Sequence, residues 1–372
     1  MTTPQIIALY LPQYHQIPEN NKFWGDGFTD WVTVKKAKPL YDGHDQPRVP
    51  LNDNYYDLSE ETSVLWQARL AKDYGISAFG VYHYWFNNND NLLTKPTEIM
   101  RDSHDIGVKY FLTWDNCSWK RSWSNVKGND WAPTLDVVPE KNSTDGNNPI
   151  LIPYILGSEQ DWEKHYLYVK SHFESENYLI YDGKPLFCIM NYDRQIQKMC
   201  DYWQELAHRD GYKGIHFIFR EYKFLNIPRN EFRFNYEPSN SGWNSTTFIQ
   251  RLKNFIMKRM GLAEKMKSYD YDVVWRNLLH HAEVNTDSHL YYGAYVGYDD
   301  TPRRGRKRGK VVVGGSPEKF SKYLRRLLEI STAQNKPFIF ITAWNEWGEG
   351  AYLEPDRTNE YMYLKAVKQA LL

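Results

Sequence analysis

Residues 337–350 read Pro337-Phe338-Ile339-Phe340-Ile341-Thr342-Ala343-Trp344-Asn345-Glu346-Trp347-Gly348-Glu349-Gly350. The apolar run reads as a buried strand, and it stops abruptly at Asn345, Glu346 and Glu349, interleaved with Trp344 and Trp347. A strand that delivers two carboxylates and two indoles to its C-terminal end puts them where α/β barrels carry their chemistry. In a regular strand, positions 346 and 349 point to opposite faces, so the pair cooperates only if the chain turns between them. Gly348 and Gly350 permit that turn. On a helical turn, residues three apart share a face, with Cβ atoms about 5–6 Å apart. Two carboxylates that close, walled by indole, do not both ionise easily, so one keeps its proton near neutrality while the other stays a base. Cleavage of a glycosidic bond needs that division of labour. The competing reading is a solvated Glu-rich loop with tryptophans packed beneath it.

Working outward, short apolar runs alternate with amphipathic stretches. Ile6–Leu11 reads as a first strand, and Glu60–Tyr74 as a helix with Val64, Leu65, Ala68 and Ala71 on one face and Gly75 as its stop. Ala78–Tyr84 reads as a strand, Thr97–His104 as a helix and Tyr110–Trp114 as a strand. Trp162–Glu174, Leu186–Met190, Met199–Arg209 and Ile215–Phe219 continue the alternation, followed by Tyr291–Val296, a helix at Pro317–Asn335 and the strand Phe338–Ala343. This pattern predicts an α/β fold with function at the strand C-termini. No linker-like, low-complexity or repeated segment divides the chain, so residues 1–372 are expected to form a single catalytic domain.

The 372 residues are enough for a large core, and the 46 basic and 46 acidic side chains cancel. No global field therefore draws the protein to nucleic acid. The three cysteines, Cys117, Cys188 and Cys200, form no Cys-x-x-Cys pair and indicate neither a disulfide framework nor a zinc site. No metal or cofactor is expected. The N-terminus lacks a basic region and Ile6–Leu11 is too short for a signal or a span, so the expectation is a cytoplasmic protein without an integral membrane segment.

Aromatic residues make up 16% of the chain, with 14 Trp and 29 Tyr. They cluster beside polar residues at expected strand ends, in Tyr82–Phe86, Trp114–Trp123 and Trp344–Trp347. The expected use is sugar stacking, with core filling as the alternative. Substrate-facing candidates are His15, Tyr82, His83, Tyr84, Trp85, Trp114, Asp115, Asn116, Trp119, Trp344, Asn345 and Trp347, around the catalytic candidates Glu346 and Glu349. Glu221 and Glu237 are spare carboxylates near the expected barrel mouth, read as loop charges or structural ion pairs.

Trp344–Asp356, closed by Leu353-Glu354-Pro355-Asp356, resembles the Asn-Glu-Trp-x-Glu-Gly signature of glycoside hydrolase family 99 and the related WbsX-like proteins of bacterial surface-polysaccharide gene clusters. The resemblance to the WbsX-like group also includes Tyr10-Leu11-Pro12-Gln13-Tyr14-His15, Gly27-Phe28-Thr29-Asp30-Trp31, Gln46-Pro47-Arg48-Val49-Pro50, Tyr82-His83-Tyr84-Trp85-Phe86, Asp182-Gly183-Lys184-Pro185-Leu186 and Asp300-Thr301-Pro302-Arg303-Arg304-Gly305. It implies a (β/α)8 TIM-type barrel, with enlarged loops at the C-terminal face of the strands, acting on an oligosaccharide or lipid-linked glycan. Glu346 would deprotonate the sugar's neighbouring 2-OH, which attacks the anomeric carbon, and Glu349 would protonate the leaving group, with net retention. One place departs from the pattern, which there reads roughly Trp-Ala-Asn-Glu-Asn-Trp: Asp115 replaces Ala, Cys117 replaces Glu and Ser118 replaces Asn. The departure points to a changed substrate, with Asp115 as the stand-in carboxylate.

Arg303-Arg304-Gly305-Arg306-Lys307-Arg308-Gly309-Lys310 is the charge run of note. It reads either as a solvated loop or, through Arg303 and Arg304, as an anion clamp for a uronic or phosphorylated sugar or for a lipid diphosphate at an anionic inner leaflet. A sugar-nucleotide glycosyltransferase is the runner-up function. Asp270-Tyr271-Asp272 has the form of a metal–diphosphate site, but it precedes a helix-like Val273–His281 and reads better as an N-terminal cap, and no Gly-rich loop follows the first strand. A non-catalytic sugar-binding protein is the third reading. Sugar identity, linkage and oligomeric state are not encoded in any of these motifs.

Overall fold

The computed structural model describes residues 3–120, 144–145, 148–222, 224–245 and 266–372. Eight parallel strands close on themselves: β1 (Gln5–Tyr10), β2 (Ala78–Asn87), β3 (Lys109–Trp114), β4 (Lys184–Ile189), β5 (His216–Glu221), β6 (Phe232–Asn235), β7 (Leu290–Tyr295) and β8 (Phe338–Thr342). Each pairs with its sequence neighbours, and β8 returns to β1 with Gln5 opposite Phe338 and Ala8 opposite Ile341. The expected strands all lie in this barrel. Their runs are apolar because they are covered on both sides, by the barrel interior and by the helix layer; every residue of β7 and β8 is buried.

Helices α1 (Glu61–Asp73), α2 (Lys95–Asp102), α3 (Glu159–Phe173), α4 (Arg194–Arg209), α5 (Tyr271–Val284), α6 (Pro317–Ala333) and α7 (Met362–Ala370) form the outer layer. Local chemistry starts them. Ser158 and Asp161 make a capping box on α3, the Asp193 carboxylate accepts from Gln195 and Ile196 on α4, and Ser316 precedes a Pro at the first position of α6. Asp270 caps α5 by accepting from Val273 N at 2.8 Å, while Asp272 pairs with Lys319, so the Asp-x-Asp sequence is engaged in helix packing. The barrel departs from the ideal (β/α)8 pattern at one connection: no helix stands among the described residues between β5 and β6.

Connections at the N-terminal ends of the strands are short, as between α1 and β2 (74–77) or α6 and β8 (334–337). Several of those leaving the C-terminal ends are long: 11–60 after β1, 236–270 after β6, 296–316 after β7 and 343–361 after β8. This asymmetry gathers loop side chains over one mouth of the barrel, where β8 delivers Glu346 and Glu349.

Candidate active site

Glu346 follows β8 and Glu349 ends the single 3-10 turn Trp347–Glu349. Gly350, at φ 58°, closes the turn in the left-handed region. Gly348 is needed for space, because a Cβ there would lie 2.6 Å from Arg303 Nε and 2.7 Å from Asp30 Oδ2. The turn brings both carboxylates to one guanidinium. Arg303 donates through Nη1 to Glu349 at 2.9 Å, and through Nη2 to Glu346 at 3.3 Å and Asp30 at 3.1 Å. Three carboxylates thus share one cation. Burial is the main cause that pushes the Glu346 carboxyl well above the usual carboxylate range; Arg303 opposes it, and Glu349 and Asp30 add to it. Burial works against the charge on Arg303 too, but the three carboxylates outweigh it and hold its pKa well above the ordinary value.

The motifs singled out in the sequence are the supports of this cluster. Tyr14 donates its hydroxyl to Asn345 O at 2.5 Å and accepts from Trp347 N at 3.2 Å. The Asn345 side chain clasps the main chain after β1, accepting from Leu11 N at 2.7 Å and donating to Leu11 O at 3.0 Å. Asp299 accepts from Gln46 Nε2 at 2.8 Å and from Thr301 N at 3.0 Å, and Arg48 donates to Gly350 O at 2.8 Å. These bonds tie the loop after β1 to both ends of the clamp. Beneath, Glu354 collects Trp347 Nε1 at 2.6 Å, Tyr56 OH at 2.8 Å and Gln67 Nε2 at 2.7 Å, and burial raises its pKa to about 7.

A cavity of about 430 Å³ opens above the pair. Of the expected site residues it is lined by Tyr82, Tyr84, Asp115, Arg303, Arg304, Glu346 and Glu349. The Tyr82 and Tyr236 hydroxyls meet at 3.0 Å on its wall. Asp115 accepts from the Cys117 thiol at 3.2 Å, and burial raises its pKa. Of the three departing residues, Asp115 therefore lines the cavity and Cys117 sits beside it.

The other candidates are placed elsewhere. Trp344, Trp347 and Trp114 are 0%, 1% and 1% exposed, so they are core and offer no face to a sugar. Trp347 stacks on Tyr352 at 3.8 Å and Trp114 donates to Trp85 O at 2.9 Å. Trp119 is buried against Tyr84 and Phe86. His83 meets His165 of α3 at 2.8 Å between the nitrogens, and Trp85 stacks on the same His165 ring; these rings fill the space between β2 and α3. Burial lowers the pKa of His83 to about 3, so it is a neutral packing partner. Asn116 is spent on the Asn191 main chain, as Asn345 is on Leu11. His15 is buried, which lowers its pKa, and it does not line the cavity. Trp123 lies outside the described residues. For Arg303 and Arg304 the sequence left a solvated loop and an anion clamp open; the structure pairs both with the protein's own carboxylates, Arg304 with Asp300 at 3.0 Å.

Sequence reasoning passed over Arg220, Tyr222, Tyr236, Trp243 and Tyr298 and gave Gln13 and Lys310 no role beyond their motif and charge run, although all seven line the cavity. Arg220 and Tyr222 flank Glu221 at the end of β5, and Tyr236 follows β6. Position directly after an apolar run was the available signal, and it had been applied there only to carboxylates. Glu221 lines the cavity and pairs with Arg233 at 3.3 Å, whereas Glu237 is buried away from it, accepting from Ser241.

A family model described as glycosyltransferase WbsX matches residues 6–367. The chain belongs to the WbsX family. Among curated proteins, this WbsX-family chain is 31% identical over 379 residues to an uncharacterized protein, WxcX, from two strains of Xanthomonas campestris pv. campestris. The alignment covers 98% of the chain and 49% of WxcX, so the chain spans about half the length of the curated relatives it matches. Among solved structures, a glycoside hydrolase-like protein superposes with TM-score 0.58 at 14% identity, covering 100% of this chain and 94% of that one. The family 99 endo-α-mannosidase of Bacteroides thetaiotaomicron superposes with TM-score 0.51 at 14% identity, covering 99% and 95%. These likenesses are of fold, that of barrel glycosidases. Among the described residues, no helix is long and apolar enough to cross a membrane, and no cluster of three or more His, Cys, Asp or Glu could hold a metal ion.

Proposed function

We propose that this protein acts on glycosidic bonds of a bacterial surface polysaccharide, of O-antigen or capsule type, as a retaining glycoside hydrolase. The observation that carries the reading is the Arg303 clamp, which holds Glu346 and Glu349 at the mouth of a barrel cavity. In the first step, Glu346 takes the proton of the sugar 2-OH as that oxygen bonds to the anomeric carbon. The bond to the leaving oxygen breaks, and Glu349 supplies the leaving group's proton. In the second step, Glu349 takes a proton from the incoming water and Glu346 returns its proton to O2 as the strained ring opens, so two inversions give retention. Burial, only partly offset by Arg303, raises the Glu346 pKa to about 8, so the ionised fraction that can act as base grows toward alkaline pH.

Transfer is the second reading, favoured by the family's description as a glycosyltransferase and by cations in the same cavity. The deciding experiment incubates free and lipid-linked surface-polysaccharide fragments with the protein, with and without sugar nucleotides, and follows products by mass spectrometry. Shortened fragments without nucleotide support hydrolysis. Extension that requires a nucleotide sugar overturns it in favour of transfer, and binding with neither product overturns both in favour of a lectin.

A further inference from the structure

Among the described residues, four cations line the cavity. Arg303 and Arg304 are met by the protein's own carboxylates. Arg220 and Lys310 are not: neither has a carboxylate oxygen within 4.0 Å among the described residues. Arg220, at the end of β5, donates through Nη2 to Asn191 Oδ1 at 3.0 Å and leans on the Tyr222 ring at 5.7 Å, and its buried Nε has no hydrogen-bond partner among the described residues. Lys310 enters from the segment after β7 and places Nζ 4.6 Å from the centroid of the Trp243 ring. The nearby acids are engaged otherwise. Asp115 accepts from Cys117, Glu221 pairs with Arg233, and Asp300 takes Arg304 and the Lys310 main-chain N–H.

We infer that Arg220 with Tyr222 and Lys310 with Trp243 form an anion-recognising part of the cavity, which takes a glycan bearing a carboxylate or phosphate group next to the bond acted upon. The inference rests on the proposed use of this cavity for a glycan. Each pair couples a cation to an aromatic face, the arrangement that receives an acidic sugar: the ring lies on the aromatic side chain and the anion meets the cation. Burial depresses the Lys310 pKa against the pull of Asp300 and Glu349, so a partly desolvated ammonium stands on the Trp243 face with no carboxylate in contact among the described residues. An arriving anion offsets that penalty, whereas a neutral sugar leaves it in place, so the cavity discriminates by charge. Carboxylate and phosphate share this chemistry. Arg220 can grip either bidentately, while Lys310 acts as a point charge.

The test uses the full chain and calorimetry with three tetrasaccharides: one containing glucuronic acid, its carboxyl-reduced neutral twin, and one bearing a phosphomonoester. A nucleotide sugar serves as the diphosphate arm. Wild-type protein is expected to bind at least one anionic probe about tenfold or more tighter than the neutral twin, with the margin shrinking as salt rises. Arg220→Met with Lys310→Met should erase the margin while leaving the neutral twin's affinity within about twofold, and Arg220→Lys should keep part of it. The probe that wins identifies the anion. Equal affinity for all probes, or a margin that survives in the folded double variant, would overturn the inference. If the double variant does not fold, a wild-type margin insensitive to salt overturns it. Anionic binding without any turnover would sink the hydrolase reading and keep this one, whereas turnover of the neutral twin at equal efficiency would do the reverse.

Discussion

Arg303 Nη1 lies 2.9 Å from Glu349 Oε1, and the same guanidinium reaches Glu346 with its other terminal nitrogen. The basic run of the sequence thus begins inside this carboxylate cluster, where its first member acts against the burial of Glu346. The Arg303 charge opposes the burial that raises the Glu346 pKa. Removing it lets that pKa climb further. If Glu346 works as an ionised base, the acidic limb of the kcat/KM profile of Arg303→Met moves to higher pH, and the rate at neutral pH falls by about tenfold or more. A pH–rate comparison with wild type checks this, and a limb that stays in place or moves down removes Arg303 from that role.

Glu349→Gln separates acid from base. Substrates with poor leaving groups need a proton, so their turnover should fall by about 10²–10⁴-fold, while activated aryl glycosides retain much more activity. Steady-state rates on both substrate types check the assignment. Equal losses would reassign Glu349.

The raised Glu346 pKa also makes a thermodynamic prediction. The folded protein holds this proton more tightly than the unfolded chain, so its contribution to stability is complete below the unfolded pKa and is lost as pH rises through the folded pKa. Glu346→Gln has no such proton to lose. Its stability relative to wild type should therefore rise between about pH 5 and pH 8, as read from urea unfolding at both. The same variant should lose turnover without losing affinity. A glycosyl ester trapped on Glu346 of the wild type would favour direct displacement over attack by the 2-OH.

Seven of the eight barrel strands were legible because each is an apolar run bounded by polar residues, helped by helix caps such as Asp193 and Ser316, whereas β6, which Arg233 interrupts, was not among the expected strands. The connection between β5 and β6 broke the pattern silently, since periodicity predicts where a helix is and says little about where one is missing. In the site, the acidic pair and Tyr82 were readable from their places at strand ends. Trp344, Trp347 and Asn345 were misread for one physical reason: in the irregular chain after β8, neighbouring residues diverge. The two glutamates turn up into the cavity, while the indoles and the amide turn down into the core. The pairing of Arg303 was not legible because its partners Asp30, Glu346 and Glu349 come from two other loops, and no local pattern shows a cation met at sequence separations of 273, 43 and 46.

Asn345 puts that distinction to a direct test. Its amide satisfies both main-chain groups of Leu11, with Oδ1 accepting at 2.7 Å and Nδ2 donating at 3.0 Å, in a site with no exposed surface of its own. Asn345→Ala strands a buried N–H and a buried C=O, each costing about 1–3 kcal/mol. Denaturant unfolding should show a loss of that order. Activity should fall through the folded fraction and the displaced Glu346, so kcat drops while KM for the residual folded enzyme stays within about twofold. Asn345→Asp keeps the acceptor for Leu11 N but sets a carboxylate against Leu11 O, so it should be no better tolerated. A stable Asn345→Ala protein with a sharply raised KM would return this residue to the substrate, as its place in the sequence motif had suggested.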